Sequence, residues 1–339
     1  MNPEADNQFI LEPEPAVETN PPRVMFPVMP QLIVLGLILL TIFSAFLIPK
    51  TFDLFRVATE DSNPTNNITE VQTTVDPFIP LATVPIKAEA AFVWDIKAGR
   101  PLYEKNAEEA LPLASITKLM TALVAYELVP EDTPITISNT ATAQESGGTL
   151  EAGETFAIKE LVDFTLVSSF NSAAYMLAAS VGELLGEADP GSQFIAGMNI
   201  KAEELGLNSL EFHNATGLDI STTKAGAYGS AREVSQLVEY ILATYPEILL
   251  PTIAKKTRLY NTAGGHHDAD NTNEIITDIP NLLGSKTGYT DLAGGNLTVV
   301  FDAGYKHPIV ITVLGSSHSE RFNDVKKFLA ATQELLAQQ

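Results

Sequence analysis

The sequence contains no cysteine in its 339 residues. This absence excludes disulfides, thiolate nucleophiles, iron-sulfur clusters and cysteine-ligated zinc, and it lets the chain work in an oxidising compartment without mispaired thiols. Basic residues are also scarce, because 20 Lys and Arg stand against 42 Asp and Glu, which gives a net charge of -22. Such a charge repels polyphosphate, so nucleic-acid binding is excluded as the main function.

One long hydrophobic run lies near the start of the chain. Between Pro30 and Pro49 the 18 residues 31–48 carry no charge, and a helix of that length extends about 27 Å at 1.5 Å per residue. Together with the two residues before Pro30 it reaches the roughly 30 Å of a bilayer's hydrocarbon core. We therefore predict a single-pass transmembrane helix at residues 28–48, with the lipid bilayer as its partner and the cell membrane as its location.

A cleaved signal peptide is the alternative interpretation of this run. Against it, the preceding tail, residues 1–27, carries five acidic residues, and Phe43 is bulky where a cleavage site requires a small residue. The flanking basic residues encode orientation poorly, since Arg23 precedes the run while Lys50 and Arg56 follow it. Only the function predicted below places the bulk of the chain outside the cytoplasm.

Composition divides the rest of the chain into two parts. Residues 49–85 are rich in Thr, Asn, Pro and acidic residues and show no sustained period, which predicts an extracytoplasmic linker. Residues 86–339 then form one folded domain. Ten acidic and three basic residues precede that domain, so -15 of the net -22 belongs to it.

The folded domain alternates strand-like and helix-like segments. Ala90–Asp95 and Pro101–Glu104 predict a hairpin with Gly99 in its turn. Apolar periodicity predicts helices at 115–128, 158–167, 172–185, 192–205, 231–245 and 320–336, and strands at 296–302 and 308–314. Strands from both ends with helices between them predict an α+β fold with one sheet and a helical lobe.

The first candidate motif is Ser115-Ile116-Thr117-Lys118, at the start of a predicted helix. Residues three apart share a helix face, so the Ser115 hydroxyl and the Lys118 amine can meet. A serine hydroxyl needs a base to take its proton, and a lysine can be that base when burial lowers its pKa. Taken alone, the pattern is equally consistent with Ser115 as a helix cap.

Two further motifs follow in the chain. Ser169-Phe170-Asn171 offers a hydroxyl that can hydrogen-bond Lys118 and pass on a proton, and an amide that can hold a substrate amide; a helix cap is the structural alternative. Lys286-Thr287-Gly288 falls on a predicted strand, where lysine and threonine can bind a carboxylate and glycine leaves room for a substrate backbone. A lysine on a solvated edge strand is the alternative there.

The three motifs together are far more specific than any one of them. Their order matches the set of class A β-lactamases and penicillin-binding proteins, apart from Phe170 at the middle position of the second motif. Residues 86–339 resemble the serine D-Ala-D-Ala carboxypeptidases, the low-molecular-mass penicillin-binding proteins. The likeness runs through most of the domain, at Gly99–Glu104, Leu113–Thr121, Glu204–Leu207, Phe212, Asn214, Gly217-Leu218 and Lys286–Thr290 with Gly294 and Gly295. It implies a β-lactamase/transpeptidase-like α+β domain.

The resemblance also implies the roles of the site residues. Ser115 would attack the penultimate D-Ala carbonyl of a peptidoglycan stem peptide, with Lys118 as general base. Ser169 and Asn171 would assist proton transfer and positioning. The terminal carboxylate would be held by Lys286, Thr287 and Arg321, beside Gly288, and the backbone N-H groups of Ser115 and Tyr289 would form the oxyanion hole. β-Lactams would acylate the same serine, and no metal or organic cofactor is implied.

The sequence departs from the family pattern in two ways. Phe170 replaces the glycine that is frequent in the family, which can narrow the cleft, and the chain ends soon after its last predicted helix.

Three other functions are alternatives to the carboxypeptidase, namely a D,D-endopeptidase, a catalytically silent wall-binding module and a class A-like β-lactamase. The β-lactamase would use Glu204, which lies in a Glu-x-x-Leu-Asn pattern. A zinc site at His266, His267, Asp268 and Asp270 is disfavoured, because adjacent histidines lack the usual helical ligand spacing, and a solvated polar loop is predicted there instead.

Overall fold

The computed structural model describes residues 80–144, 150–186 and 189–338, and it contains strands and helices from both ends of this range. The strands are β1 Ala90–Asp95, β2 Arg100–Lys105, β3 Leu111–Pro112, β4 Pro134–Thr136, β5 Thr155–Ala157, β6 Glu211–Phe212, β7 Ala227–Gly229, β8 Lys256–Tyr260, β9 His266–Asp270, β10 Leu282–Thr290, β11 Gly294–Asp302 and β12 Pro308–Ser316. The helices are α1 Lys118–Leu128, α2 Asn139–Thr142, α3 Ile158–Val167, α4 Asn171–Gly182, α5 Pro190–Glu204, α6 Ala231–Thr244, α7 Pro246–Leu249 and α8 Glu320–Ala337.

The main sheet joins the two ends of the domain. Its strand order is β10-β11-β12-β1-β2, and all its neighbours are antiparallel. The predicted hairpin is confirmed, with Gly99 at φ +61° in its turn. Strand β10, which carries the Lys-Thr-Gly motif, lies at one edge of the sheet.

Alternation along the strands gives the sheet two apolar faces. Val93, Val299 and Ile311 point to one side, where they pack against α8, because successive side chains of a strand face opposite ways. Phe92 and Val310 point to the other side, where α6 covers them. The result is a sheet between one terminal helix and a helical lobe, which confirms the predicted α+β architecture.

Helix α1 occupies the centre of the helical lobe. It packs against α3, α4, α5 and α6, and Leu119, Met120 and Leu123 are fully buried. A helix that is covered on all sides is apolar around its whole circumference. The prediction of an α-helix from Ser115 is wrong by one turn, because Ala114–Thr117 forms a 3₁₀ turn and the α-helix starts at Lys118.

The predicted linker ends inside the fold. Leu81 is buried in the cluster between the sheet and α8, and its N-H donates to the carbonyl of Leu102 at 2.8 Å. The folded domain therefore begins by residue 80, several residues before the predicted boundary at 86. The rest of the linker, the acidic tail and the predicted transmembrane helix at 28–48 lie outside the described residues, within which no helix has the length and apolar character of a membrane span.

Candidate active site

An open cleft of about 450 Å³ lies between strand β10 and the helical lobe. Seven of the predicted site residues line it, and they are Ser115, Ser169, Asn171, Thr287, Gly288, Tyr289 and Arg321. The two predicted lysines, Lys118 and Lys286, are almost fully buried beneath its floor. The structure therefore brings together all nine residues that the sequence and the family resemblance singled out.

The 3₁₀ turn presents Ser115 to the cleft. In such a turn residues i and i+3 are eclipsed, so the side chains of Ser115 and Lys118 extend from the same side, and Lys118 Nζ lies 2.8 Å from Ser115 Oγ. Ala114, just before the serine, has φ +47°, a conformation that costs a non-glycine residue about 1 kcal/mol or more. Strand β10 passes close by, since a Cβ on Gly288 would lie 3.1 Å from the Ser115 nitrogen.

Lys118 is surrounded in a way that suits a neutral amine. Its Nζ donates to Asn171 Oδ1 at 2.7 Å and to the carbonyl of Thr216 at 2.8 Å, and Ser115 Oγ is the third neighbour. Burial lowers the pKa of Lys118 to about 7, because the charged form loses its hydration. A neutral amine can satisfy both carbonyl oxygens with its two protons and direct its lone pair at the Ser115 hydroxyl.

The carbonyl of Thr216 is a site group that reasoning from sequence missed. Asn214 Oδ1 holds the loop in place by accepting from the N-H groups of Thr216 and Gly217. Gly217 has φ +79°, and a Cβ there would lie only 1.9 Å from the Ala114 carbonyl oxygen. The loop therefore fits directly under the turn that carries Ser115. The available signal in the sequence was that Asn214 and Gly217 are both part of the family resemblance.

Ser169 has a different partner from the one predicted. Its Oγ accepts a hydrogen bond from Lys286 Nζ at 2.9 Å, whereas the motif predicts Lys118 as its partner. Lys286 also donates to the Thr287 carbonyl and is only 1% exposed, so a solvated edge lysine is the wrong interpretation. Burial is the main cause that lowers the pKa of Lys286 well below its ordinary value, followed by the charges of Lys118 and Arg321.

Arg321 lies in the first turn of α8 and is 4% exposed. Its Nη1 donates to the Gly288 carbonyl at 2.7 Å, and its Nε has no hydrogen-bond partner among the described residues. Burial lowers the pKa of Arg321 from its usual value, yet guanidinium stays charged at any physiological pH. A buried, incompletely paired cation at the cleft wall is suited to binding an anion.

The other end of the cleft wall contains residues that the sequence did not single out. His318 packs its ring edge against Tyr289, with 5.1 Å between ring centroids, and Glu274 lines the mouth of the cleft. Phe170 does not line it, because its ring stacks on Phe164 at 5.5 Å. The predicted narrowing by Phe170 is therefore wrong.

The residues that the β-lactamase and zinc-site alternatives depend on pair with other side chains. The Glu204 side chain is 61% exposed and pairs with Lys201, away from the residues that line the cleft. His267 and Asp268 lie in strand β9, where they pair with Glu154 and Arg258 respectively. Within the described residues, no cluster of three or more histidines and carboxylates has the arrangement of a metal site.

The chain matches known proteins in sequence and in fold. The family model described as D-alanyl-D-alanine carboxypeptidase, peptidase S11, matches residues 74–317. The chain is 31% identical over 254 residues to D-alanyl-D-alanine carboxypeptidase DacF of Bacillus subtilis strain 168, covering 72% of this chain and 61% of that protein. It is 30% identical to a D-alanyl-D-alanine endopeptidase of Pseudomonas aeruginosa, covering 63% of this chain and 68% of that protein.

Solved structures show the same fold. Penicillin-binding protein D2 from Listeria monocytogenes, in its ampicillin-bound form, superposes with a TM-score of 0.60 at 26% identity, over 73% of this chain and 97% of that one. An evolved penicillin-binding protein homologue from Mycobacterium tuberculosis gives a TM-score of 0.66 at 22% identity, over 76% and 97%. With the family model matched over most of the described domain, the chain belongs to the D-alanyl-D-alanine carboxypeptidase family, peptidase S11.

Proposed function

We propose that the chain is a membrane-anchored serine D-Ala-D-Ala carboxypeptidase that removes the terminal D-Ala from peptidoglycan stem peptides. The observation that carries the proposal is the buried Lys118 amine, with a pKa near 7, at 2.8 Å from the Ser115 hydroxyl. A serine with a neutral amine beside it is an activated nucleophile. Family membership supplies the substrate class, and no metal or organic cofactor enters the reaction that follows.

The first step is acylation. Ser115 Oγ attacks the carbonyl carbon of the penultimate D-Ala while its proton passes to Lys118 Nζ. The carbonyl oxygen becomes an oxyanion, which the backbone N-H groups of Ser115 and Tyr289 stabilise. Each such donor contributes on the order of 3 kcal/mol in acyl transfer. Gly288 lets β10 approach the serine, since its missing Cβ leaves the gap between strand and turn open.

The second step expels the terminal D-Ala. Its amine takes the proton of the Ser169 hydroxyl, which lies beside Lys286 Nζ, as the peptide bond breaks. Ser169 is reprotonated by relay of the proton that Lys118 took from Ser115, so Lys118 is neutral again. Thr287, Lys286 and Arg321 provide the hydroxyl and positive charge that hold the D-Ala carboxylate during this step. Water then attacks the ester carbonyl and gives one proton to Lys118, and Lys118 passes that proton to Ser115 Oγ as the bond between Oγ and the acyl carbon breaks.

β-Lactams are the proposed inhibitors. A β-lactam presents a strained amide and a nearby carboxylate, and therefore places the same two groups in the cleft as the substrate. The Listeria penicillin-binding protein D2 was solved in an ampicillin-bound form and a cefotaxime-bound form. We expect both drugs to acylate Ser115 here.

D,D-Endopeptidase activity is the second candidate function. Two relatives of this chain, one from Pseudomonas aeruginosa and one from Haemophilus influenzae, are named D-alanyl-D-alanine endopeptidases, and each is 30% identical to it. Their names favour this second function. The reaction at Ser115 is the same, and only the leaving amine differs, being part of a neighbouring stem peptide instead of free D-Ala.

The proposed location follows from the substrate and the sequence. Peptidoglycan lies outside the cytoplasm, so the domain from residue 80 onward would be extracytoplasmic. The uncharged run at 31–48 supports anchoring by a helix at 28–48. The segment between them would then be the linker to the wall.

The experiment that tests the proposal measures D-alanine release by the full-length chain. The substrates are a stem pentapeptide and a cross-linked dimer of stem peptides, and Ser115→Ala is assayed in parallel. We expect the wild type to release D-alanine from the pentapeptide and Ser115→Ala to release none. Cleavage of the dimer alone would assign the endopeptidase function, and no cleavage of either by a folded, penicillin-acylated chain would favour a silent binder.

A further inference from the structure

Residues 271–273 form a short bridge between the helical lobe and the sheet, at the edge of the cleft. The N-H of Thr272 donates to the Val167 carbonyl at the end of α3. On the same side, Ser168 Oγ donates to the Asp270 carbonyl at 2.9 Å. The bridge is therefore attached to the helical lobe through backbone groups.

Two asparagines fix the bridge from within. Asn271 Nδ2 donates to the carbonyls of Thr252 and Ala254, and its Oδ1 accepts from the N-H of Asn273. Asn273 is 2% exposed and donates to Ser285 Oγ on β10 at 3.1 Å. Asn271 and Thr272 both line the cleft, but the hydrogen bonds of the two asparagine side chains go to the protein, so Thr272 carries the hydroxyl that the bridge presents to the cleft.

Thr272 meets one of the predicted carboxylate ligands there. Its Oγ1 lies 2.6 Å from Thr287 Oγ1, so one hydroxyl donates to the other. Each hydroxyl has only one proton. When Thr287 gives its proton to a substrate carboxylate, the proton in the bond between the two threonines has to come from Thr272.

We infer that Thr272 is a positioning residue for the carboxylate subsite, and that its hydroxyl orients the Thr287 hydroxyl so that Thr287 donates to the substrate's terminal carboxylate. The inference rests on the proposed function, in which Thr287 binds that carboxylate. A chain of two hydroxyls also strengthens the outer hydrogen bond, because each polarises the next. Loss of Thr272 Oγ1 leaves Thr287 free to rotate its proton away from the cleft.

The test compares full-length wild type with Thr272→Val, which removes the hydroxyl and keeps the side-chain shape, and with Thr272→Ser, which retains the hydroxyl. For each protein, KM and kcat are measured on a stem pentapeptide and on the same peptide with a C-terminal amide. The rate of acylation by benzylpenicillin is measured as well. Thr272→Val should raise KM for the free peptide about tenfold, with kcat changed less than about twofold. It should slow penicillin acylation by a similar factor, since penicillin also carries a carboxylate. The amidated peptide should be unaffected, and Thr272→Ser should resemble wild type.

The outcomes separate the inference from the proposed function. Unchanged KM and acylation in Thr272→Val, or an equal loss on the amidated peptide, would overturn the inference. A wild type that is acylated by penicillin but releases no D-alanine would overturn the proposed function, and the acylation rates would still decide the role of Thr272. A wild type that does neither overturns both. If Thr272→Val unfolds, Thr272→Ala replaces it with the same expected pattern.

Discussion

In the proposed reaction, acylation of Ser115 depends on the protonation state of Lys118. Burial lowers the pKa of this lysine to about 7, and only its neutral form can accept the Ser115 proton. The neutral fraction falls about tenfold for each pH unit below the pKa. We therefore expect the rate of penicillin acylation to rise with pH up to about 7 and to level off above about 8, measured between pH 5 and 9.

Lys118→Arg is the control for this pH profile. Arginine keeps the positive charge but does not lose its proton at these pH values. Acylation should fall at least about 100-fold at every pH, because no base remains. A flat profile in wild type, or an active arginine variant, would show that another group takes the proton.

Gly217 lies directly under the nucleophile, so its substitution should affect both stability and chemistry. In Gly217→Ala the new Cβ would lie 1.9 Å from the Ala114 carbonyl oxygen, at φ +79°. We expect a loss of about 3 kcal/mol or more in the free energy of unfolding, together with slower acylation. Chemical denaturation and a penicillin acylation assay measure the two effects.

Gly206→Ala is the control that separates the effect of backbone strain from the effect of a steric clash. Gly206 has a similar φ of +71°, but a Cβ there meets nothing within 4 Å. Its substitution should cost only about 1 to 2 kcal/mol, from the left-handed backbone conformation alone. Equal losses in the two variants would mean that the contact with Ala114 does not matter.

At the residue scale, sequence reasoning succeeded where the contact is local. Ser115 and Lys118 are three positions apart, so one turn brings them together. The Thr216 carbonyl is 98 positions from Lys118, and Ser169 is 117 positions from Lys286. Such contacts depend on how distant elements pack, and a backbone carbonyl carries no residue-type signal at all.

At the element scale, apolar periodicity predicted the buried elements well. Helix α3 has the predicted bounds, and its apolar residues Ile158, Leu161, Val162 and Leu166 recur at helical spacing. Strands β8 and β9 were missed, and β9 was interpreted as a polar loop. They are held by cross-strand charge pairs such as Arg258 with Asp268, which stabilise a hairpin without an alternating apolar pattern.

Asp324 attaches helix α8 to the chain entering β1. The fully buried Asp324 carboxylate accepts hydrogen bonds from the N-H groups of Lys87 and Ala88 at 2.8 to 3.0 Å, and from Ser316 Oγ. Asp324→Ala leaves these donors without their acceptor. The free energy of unfolding should fall by about 3 kcal/mol, measured by chemical denaturation.

An ion pair on the same helix provides the comparison. Lys326 pairs with Asp278, and both side chains are nearly half exposed. Lys326→Ala should change the free energy of unfolding by less than about 1 kcal/mol, since surface pairs contribute little. Similar small changes in both variants would contradict the structural role assigned to Asp324.

At the scale of the whole molecule, the proposed anchor makes the location of the enzyme testable. Leu37→Arg with Leu40→Arg places two charges near the middle of the 28–48 run, and each costs about 3 kcal/mol in a bilayer. The double variant should move from the membrane pellet to the soluble fraction after an alkaline wash. Thr65→Arg with Thr73→Arg, in the predicted linker, should leave the protein in the pellet. Retention of the Leu37/Leu40 variant in the membrane would contradict the anchor.

The position of β10 at the edge of the sheet has a consequence for self-association. An unpaired strand edge attracts any extended chain, including the edge of a second copy of the same protein. Here the turn carrying Ser115 and the bridge at 271–273 both contact β10 and line the cleft beside it. The edge strand of a second copy would have to displace these two elements in order to pair with β10. We therefore expect the elements that build the proposed site also to protect this strand edge from aggregation.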